Sequence, residues 1–269
     1  MTDRVTVNIE NGVADVRLVL TDKMHALDLA MFHALIETGE MLKRDAAIRA
    51  VVISGEGRAF CAGLDMMSFA QMANEKDRPS GSNLASREFG IANRAQQAVF
   101  VWRQIPVPVI AAVHGVAFGG GFQLTLGADM RYVAPDTKMS VMEIKWGLVP
   151  DMTGILLMPA LARGDVIREL TYTGRVFSGT EAHAYGFATR VCDDPRAEAL
   201  ATAREIANKS PHAIRAAKRL LNLSTEADPA TILRVETEEQ VALIGSPNQM
   251  EAVMANMQKR EPKFADPAA

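Results

Sequence analysis

"AVHGVAFGGGFQLTLGADM", residues 112–130, decides the fold. The apolar, β-rich run "VPVIAAVHG" (107–115) leads to three consecutive glycines, Gly119, Gly120 and Gly121, and "FQLTLGAD" (122–129) follows with a helical pattern. A glycine inside a helix costs about 1 kcal/mol relative to alanine, so a triplet at a helix start indicates that the backbone itself is wanted there. Either a ligand comes close to it, or helix and strand pack too tightly for a Cβ. "MRYVAP" (130–135) reads as the next strand, which makes the whole stretch a strand, helix, strand unit.

The pattern repeats upstream. "VTVNIENGVADVRLVL" (5–20) alternates apolar and polar residues around Asn11-Gly12, the dipeptide suited to a type I′ hairpin turn. Asp28 is a plausible N-cap for "LAMFHALIETGEMLKR", and "IRAVVISGEG" (48–57) is a buried strand closed by glycines. After about residue 160 the β-rich runs nearly stop. Three amphipathic helices are predicted there, within 196–210, 211–224 and 229–246, with Pro211 and Pro229 at helix starts. The fold class is therefore α/β with a parallel core and a helical carboxy-terminal third. The polar segment "NEKDRPSGSNLASREFG" (74–90) reads as a loop at the mouth of a site.

The composition points to small-molecule partners. With 269 residues, 48% hydrophobic, the chain can bury a substantial core, and a net charge of −3 offers no broad attraction to nucleic acid or anionic lipid. The two cysteines, Cys61 and Cys192, form no metal-ligand spacing and fit a reducing compartment. No apolar run has the length of a bilayer span, and the start of the sequence lacks a signal-peptide pattern, so a cytoplasmic location is expected.

The glycine-rich turns "SGEGRAFCAGLD" (54–65) and "HGVAFGGGFQL" (114–124) lack the phosphate-loop pattern, and neither GxSxG nor HExxH occurs. What remains is an oxyanion hole, with one backbone N–H from each turn aimed at one carbonyl oxygen.

"HALDLAMF", "AFCAGLDM", "PVPVIAAVHGVAFGGGFQLTLGADMRYVA" and "MEIKWGLVPDMTG", in this order, resemble the enoyl-CoA hydratase/isomerase (crotonase) superfamily. "YTGRVFSGTEAHAYGFATRV", "SPHAIRAAKRLLN" and "MANMQKREPKF" extend the resemblance over nearly the whole chain. It implies a spiral of ββα turns spanning residues 1–200, followed by a helical region, 201–269, for trimerisation and active-site cover. It also implies a homotrimer or homohexamer acting on an acyl-CoA thioester, with coenzyme A as part of the substrate and no permanently bound cofactor or metal. The oxyanion donors would be the N–H groups of Leu64 and Gly120. Met24, His25, Ala26, Leu27, Ala62, Asp65 and Met66 would lie along the CoA and substrate.

Hydratases of this family carry two glutamates. The first position here is Gln123, neutral and no general base, and the second is Glu143. Asp151 stands eight residues beyond Glu143 where hydratases have glycine, as in 3,5-dienoyl to 2,4-dienoyl-CoA isomerases. The resemblance therefore favours an isomerase with Glu143 as base, Asp151 as a second proton carrier and Gln123 beside them. Alternatives are an enoyl-CoA hydratase in which Gln123 orients water, and a weakly catalytic acyl-CoA or RNA-binding member using Arg215, Lys218 and Arg219. Blander readings make Glu143 an ion-pair partner of Lys145 or Arg131, and Asp151 a helix cap. Met66, Met67, Phe69 and Met72 could line an acyl pocket, and Lys259, Arg260 and Lys263 could reach CoA phosphates.

Overall fold

Asn11 and Gly12 both take positive φ, 51° and 78°, and turn strand β1 (Val5–Glu10) into its antiparallel neighbour β2 (Val13–Leu18). This is the computed structural model of the chain, and it describes residues 3–65 and 84–267. The Asp28 carboxylate accepts from Met31 N at 2.7 Å and starts helix α1 (Leu29–Arg44), which returns the chain to β3 (Ala50–Gly55), parallel to β2. Helix α2 (Arg94–Gln104) then leads to β4 (Val109–Val113), parallel to β3. Strands β3 and β4 are buried throughout, as expected of parallel strands covered on both faces.

From β4 each turn of chain adds a second strand before its helix. His114 and Gly115 lead into β5 (Val116–Phe118), and the glycine triplet opens helix α3 (Gly120–Leu126). The next turn runs through β6 (Met130–Val133) and β7 (Lys138–Ser140) into a 3-10 turn at Glu143–Trp146. After α4 (Gly154–Leu157) and α5 (Gly164–Thr173) come β8 (Phe177–Ser178), α6 (Gly179–Tyr185) and β9 (Arg190–Val191). The result is a six-stranded sheet, β1-β2-β3-β4-β6-β9, and a three-stranded sheet, β5-β7-β8. An isolated bridge between Cys61 and Ala117 places the first glycine-rich turn alongside β5. Successive turns of a ββα spiral thus stack in parallel, the crotonase-like α/β architecture expected from the resemblance. The small sheet is absent from the periodicity reading, because strands of two or three residues leave no alternation to detect.

The large sheet separates two apolar layers. Val16, Val51, Ile53, Val109 and Ala111 face α1 and α2, whereas Val13, Ala50, Val52, Ile110 and Tyr132 face Ala199, Ala203 and Ala207 of α7 (Pro195–Ala207). Alanine at every fourth position lets α7 lie flat against the strands. Residue 200 lies within this helix, which is packed on the sheet. Helices α8 (Pro211–Leu223), α9 (Pro229–Leu243) and α10 (Pro247–Gln258) complete the chain, each with proline in its first turn.

Candidate active site

The two glycine-rich turns meet. Gly63 has φ 89°, and a Cβ there would stand 2.5 Å from Phe118 O and 3.8 Å from Gly120 N. Around it, Leu27 N donates to Gly63 O at 2.8 Å and Asp65 N donates to Leu27 O at 3.2 Å, a parallel bridge that passes over the Leu64 amide. Gly120 is the first residue of α3, where helical N–H groups have no intrahelical acceptor. Neither the Leu64 nor the Gly120 N–H donates to an acceptor among the described residues. Gly119 reaches this geometry with φ 51° and ψ −119°, and a Cβ on Gly121 would collide with Cys61 O at 2.3 Å. Gly121 is required by packing, and the Gly120 N–H is left without an acceptor among the described residues. Phe122 anchors the helix through edge-on contacts with Phe177 and Phe187.

Glu143 lies beside this turn. A Cβ on Gly119 would stand 3.3 Å from its Oε1, and the residue is only 9% exposed. Gln123 Nε2 donates to Oε1 at 2.6 Å, while Oε2 is buried with no hydrogen-bond partner among the described residues. Burial raises the carboxyl above the ordinary range, its own backbone amide and the Gln123 hydrogen bond pull it down, and the negative charge of Asp151 pushes it up again. Neither Lys145 nor Arg131 is its ion-pair partner. Lys145 Nζ lies over the Trp146 ring, and the Arg131 guanidinium donates to the carbonyls of Phe187, Ala128 and Asp129.

Asp151 opens onto a concavity of about 460 Å³ lined also by Ile91, Phe100, Ile155 and Leu156. The side chain itself is exposed, and desolvation by the surrounding protein raises its carboxyl above the ordinary range. It does not cap α4: that helix has Thr153 at its N-cap, without a side-chain bond.

The stretch expected to lie along CoA is tied to the first glycine-rich turn. Met24 and His25 take φ 48° and 55°, Ala62 N donates to Met24 O at 2.9 Å, and Lys23 Nζ pairs with Asp65 Oδ2 at 2.8 Å. Ala26 and Leu27 are buried beneath. The His25 imidazole turns into the protein rather than outward. Its Nδ1 binds Phe60 O at 3.0 Å and its Nε2 is buried without a partner among the described residues, so burial lowers its pKa. Cys61, pushed up to about 12 by burial, donates to His25 O and is a core thiol. Met66, with Met67, Phe69, Met72 and residues 74–83 of the polar segment, lies outside the described residues.

The basic side chains are engaged internally. Arg215 donates to the carbonyls of Ala46 and Ile48, Lys218 pairs with Asp129, and Arg219 pairs with Glu239. None of these three side chains of α8 is unpaired. Arg260 is held by Glu251, whose carboxyl is pulled down to about 2 by that pairing and by the Lys263 N–H.

The sequence reading overlooked Met152, Thr153 and Gly154. Met152 N and Gly154 N both donate to Gln123 Oε1 at 2.9 Å, around a Thr153 with φ 68°. Only the glycine at 154 carried a local signal.

The enoyl-CoA hydratase/isomerase family model matches residues 8–267. Human mitochondrial Delta(3,5)-Delta(2,4)-dienoyl-CoA isomerase is 33% identical over 97% of this chain and 80% of its own length. Mouse mitochondrial methylglutaconyl-CoA hydratase is 31% identical over 89% of this chain and 75% of its own. The crystal structure of an enoyl-CoA hydratase from Bacillus anthracis superposes with a TM-score of 0.87 at 28% identity, covering 97% and 98% of the two chains. Continuous coverage of the fold, the glycine-rich turns and the acidic stretch together place this chain in the enoyl-CoA hydratase/isomerase family.

Proposed function

We propose that the protein shifts the double bond of an enoyl- or dienoyl-CoA thioester. The observation that carries this reading is the pairing of Glu143 with Gln123, a neutral amide where a second acid would otherwise stand against it. Hydration needs one group to take a proton from water and another to protonate the α carbon; a double-bond shift needs one base that takes a proton and gives it back.

In this mechanism the thioester oxygen lies between the Leu64 and Gly120 N–H groups. Glu143 Oε2 removes a proton from the carbon α to the carbonyl, and the electron pair moves onto the oxygen as an enolate. The enolate collapses as a proton returns further along the chain, from Glu143 for a 3-enoyl substrate or from Asp151 for a 3,5-dienoyl substrate. No atom is gained or lost. Fixed amide donors stabilise the developing charge by about 3–4 kcal/mol each in comparable sites. The acyl tail would occupy the concavity beside Asp151, and CoA would run along residues 24–27, Ala62 and Asp65 as part of the substrate. No resident cofactor is required.

Hydration is the second reading, favoured by the likeness to methylglutaconyl-CoA hydratase. For assembly, a homotrimer or homohexamer is favoured by the exposed Leu233, Val241, Ile244, Met250, Val253 and Met257 on and beside α9 and α10. A reducing, cytoplasmic location rests on two free cysteines, although relatives carry mitochondrial names.

The deciding experiment is product mass and double-bond position after separate incubation with 2-enoyl-, 3-enoyl- and 3,5-dienoyl-CoA. Unchanged mass with a moved double bond supports isomerisation. A product heavier by one water from the 2-enoyl substrate, with no shift on the others, overturns it in favour of hydration.

A further inference from the structure

We propose that Gln123 is a positioning residue that makes Glu143 a one-oxygen base: its amide holds Oε1 and leaves Oε2 alone to take and return the substrate proton. This rests on the reading of Glu143 as the base.

The orientation of the amide follows from its partners. Two backbone N–H groups, Met152 N and Gly154 N, point at one end of Gln123 from 2.9 Å, and only a carbonyl oxygen can accept both. The NH2 end is thereby forced toward Glu143, where it stands 2.6 Å from Oε1. The two donors converge because Thr153 between them adopts φ 68° and ψ 1°, a left-handed conformation uncommon for a β-branched residue. The Thr153 hydroxyl donates to Met152 O at 2.6 Å and helps to hold it. Successive amides around such a residue form a concave nest for an acceptor. A Cβ on Gly154 would stand 2.7 Å from Gln123 Oε1, so the nest fits its occupant closely.

The nest has a chemical consequence. Both lone pairs of the Gln123 oxygen are taken, so it has none left to accept a hydrogen bond from water. Glu143 Oε1 already accepts one hydrogen bond from Gln123, and Oε2 is the oxygen left unpartnered among the described residues.

Charged neighbours do not provide an alternative clamp. Asp151, before α4, is the charged group whose field reaches Glu143. The side chains of α5, packed against the 3-10 turn, are engaged elsewhere: Asp165 with Arg163, Glu169 with Arg175 and Arg168 with Gly164 O. From α3 the contact is Gln123 itself.

Two variants test the role. Gln123→Glu keeps an acceptor for the nest but sets a second carboxylate against Glu143, where the pair must share a proton. Gln123→Met removes the donor. Residue 143 is followed by 13C NMR titration of its side-chain carboxyl in the substrate-free protein, alongside kcat and KM across pH. In both variants the ionisation of residue 143 is expected to rise by about one pH unit or more. In Gln123→Glu, kcat near neutrality is expected to fall about tenfold or more, with KM within about twofold of wild type. An unchanged titration and unchanged acid limb in both variants, with only thermal stability altered, overturn the positioning role. Glu143→Gln separates this from the parent reading. If that variant turns over normally the base assignment fails; if it is inactive while the Gln123 variants titrate as wild type, the positioning role fails alone.

Discussion

Gly63 and Gly120 face each other across the proposed oxyanion site, with Gly120 N 3.8 Å from the point where a Gly63 Cβ would stand. The approach is possible because neither turn carries a side chain there. Preorganised amides cost no reorganisation as charge develops, which is why two backbone donors outperform two side chains of the same polarity.

Under the proposed function, substitutions in the glycine triplet are expected to separate catalysis from folding. A Cβ on Gly120 would meet Met152 Sδ at 2.7 Å and Leu27 Cδ1 at 2.8 Å, both at the far ends of side chains that can yield. Gly120→Ala is expected to fold while displacing its N–H, lowering kcat by about 10²–10³. Gly121→Ala would press on Cys61 O, which is backbone and cannot yield, so it is expected to fail in soluble yield. Circular dichroism with steady-state kinetics distinguishes the two. Normal kinetics for a folded Gly120→Ala would remove it from the oxyanion hole.

Asp151 is expected to influence the pH response. Its negative charge disfavours the ionised form of Glu143, so Asp151→Asn is expected to move the acid limb of kcat/KM to lower pH. On a 3-enoyl-CoA that shift is the main effect. On a 3,5-dienoyl-CoA turnover is expected to fall about 10²-fold or more if Asp151 carries the second proton. Equal losses on both substrates would assign Asp151 a structural role.

Lys218 fastens the helical region to the sheet. Its Nζ donates to Val107 O at 2.9 Å and pairs with Asp129 Oδ2 at 2.7 Å, the oxygen that also accepts from Val109 N. Lys218→Ala leaves a carbonyl and a carboxylate without their cation, and an expected loss of about 3 kcal/mol follows. Chemical denaturation measures it; a loss under about 1 kcal/mol would show that water replaces the amine.

The parts of the molecule legible in the sequence are those set by local rules. Asn11-Gly12 specifies its turn, Asp28 its cap, and Pro211 and Pro229 their helix starts, each through backbone geometry within a few residues. Helices α2, α5 and α10 are not picked out in the sequence, although α5 is more strongly amphipathic than α7 or α9, which are. The site was legible only as separate pieces. That Gln123 meets Glu143 and the Met152–Gly154 turn depends on contacts 20 to 31 residues apart, which no local pattern encodes. His25 shows the converse: its place beside the site is readable, but not that its ring points inward.

Glu143 should weaken the fold that it makes useful. Burial raises its carboxyl above the value in the unfolded chain, so the native state holds the proton more firmly. The resulting stability is fully present in acid, below the unfolded value, and is lost as pH rises through the folded value. At neutral pH the native protein must therefore bear an ionised, buried group whose Oε2 has no partner among the described residues. Glu143→Gln keeps the shape and an oxygen for the Gln123 amide but carries no charge. It is expected to be more stable than wild type near neutrality, by about 1.4 kcal/mol for each pH unit of elevation removed. Each kcal/mol corresponds to about 2–4 °C in Tm for a chain approaching this size, and the advantage should shrink toward acid pH, where wild type is protonated. Activity is expected to fall by about 10²–10⁴. Thermal unfolding of both proteins at neutral and mildly acidic pH decides the matter. A Tm difference independent of pH would mean that the buried carboxylate is not the source of the cost, and a variant less stable at both pH values would mean that Glu143 is held by more than Gln123.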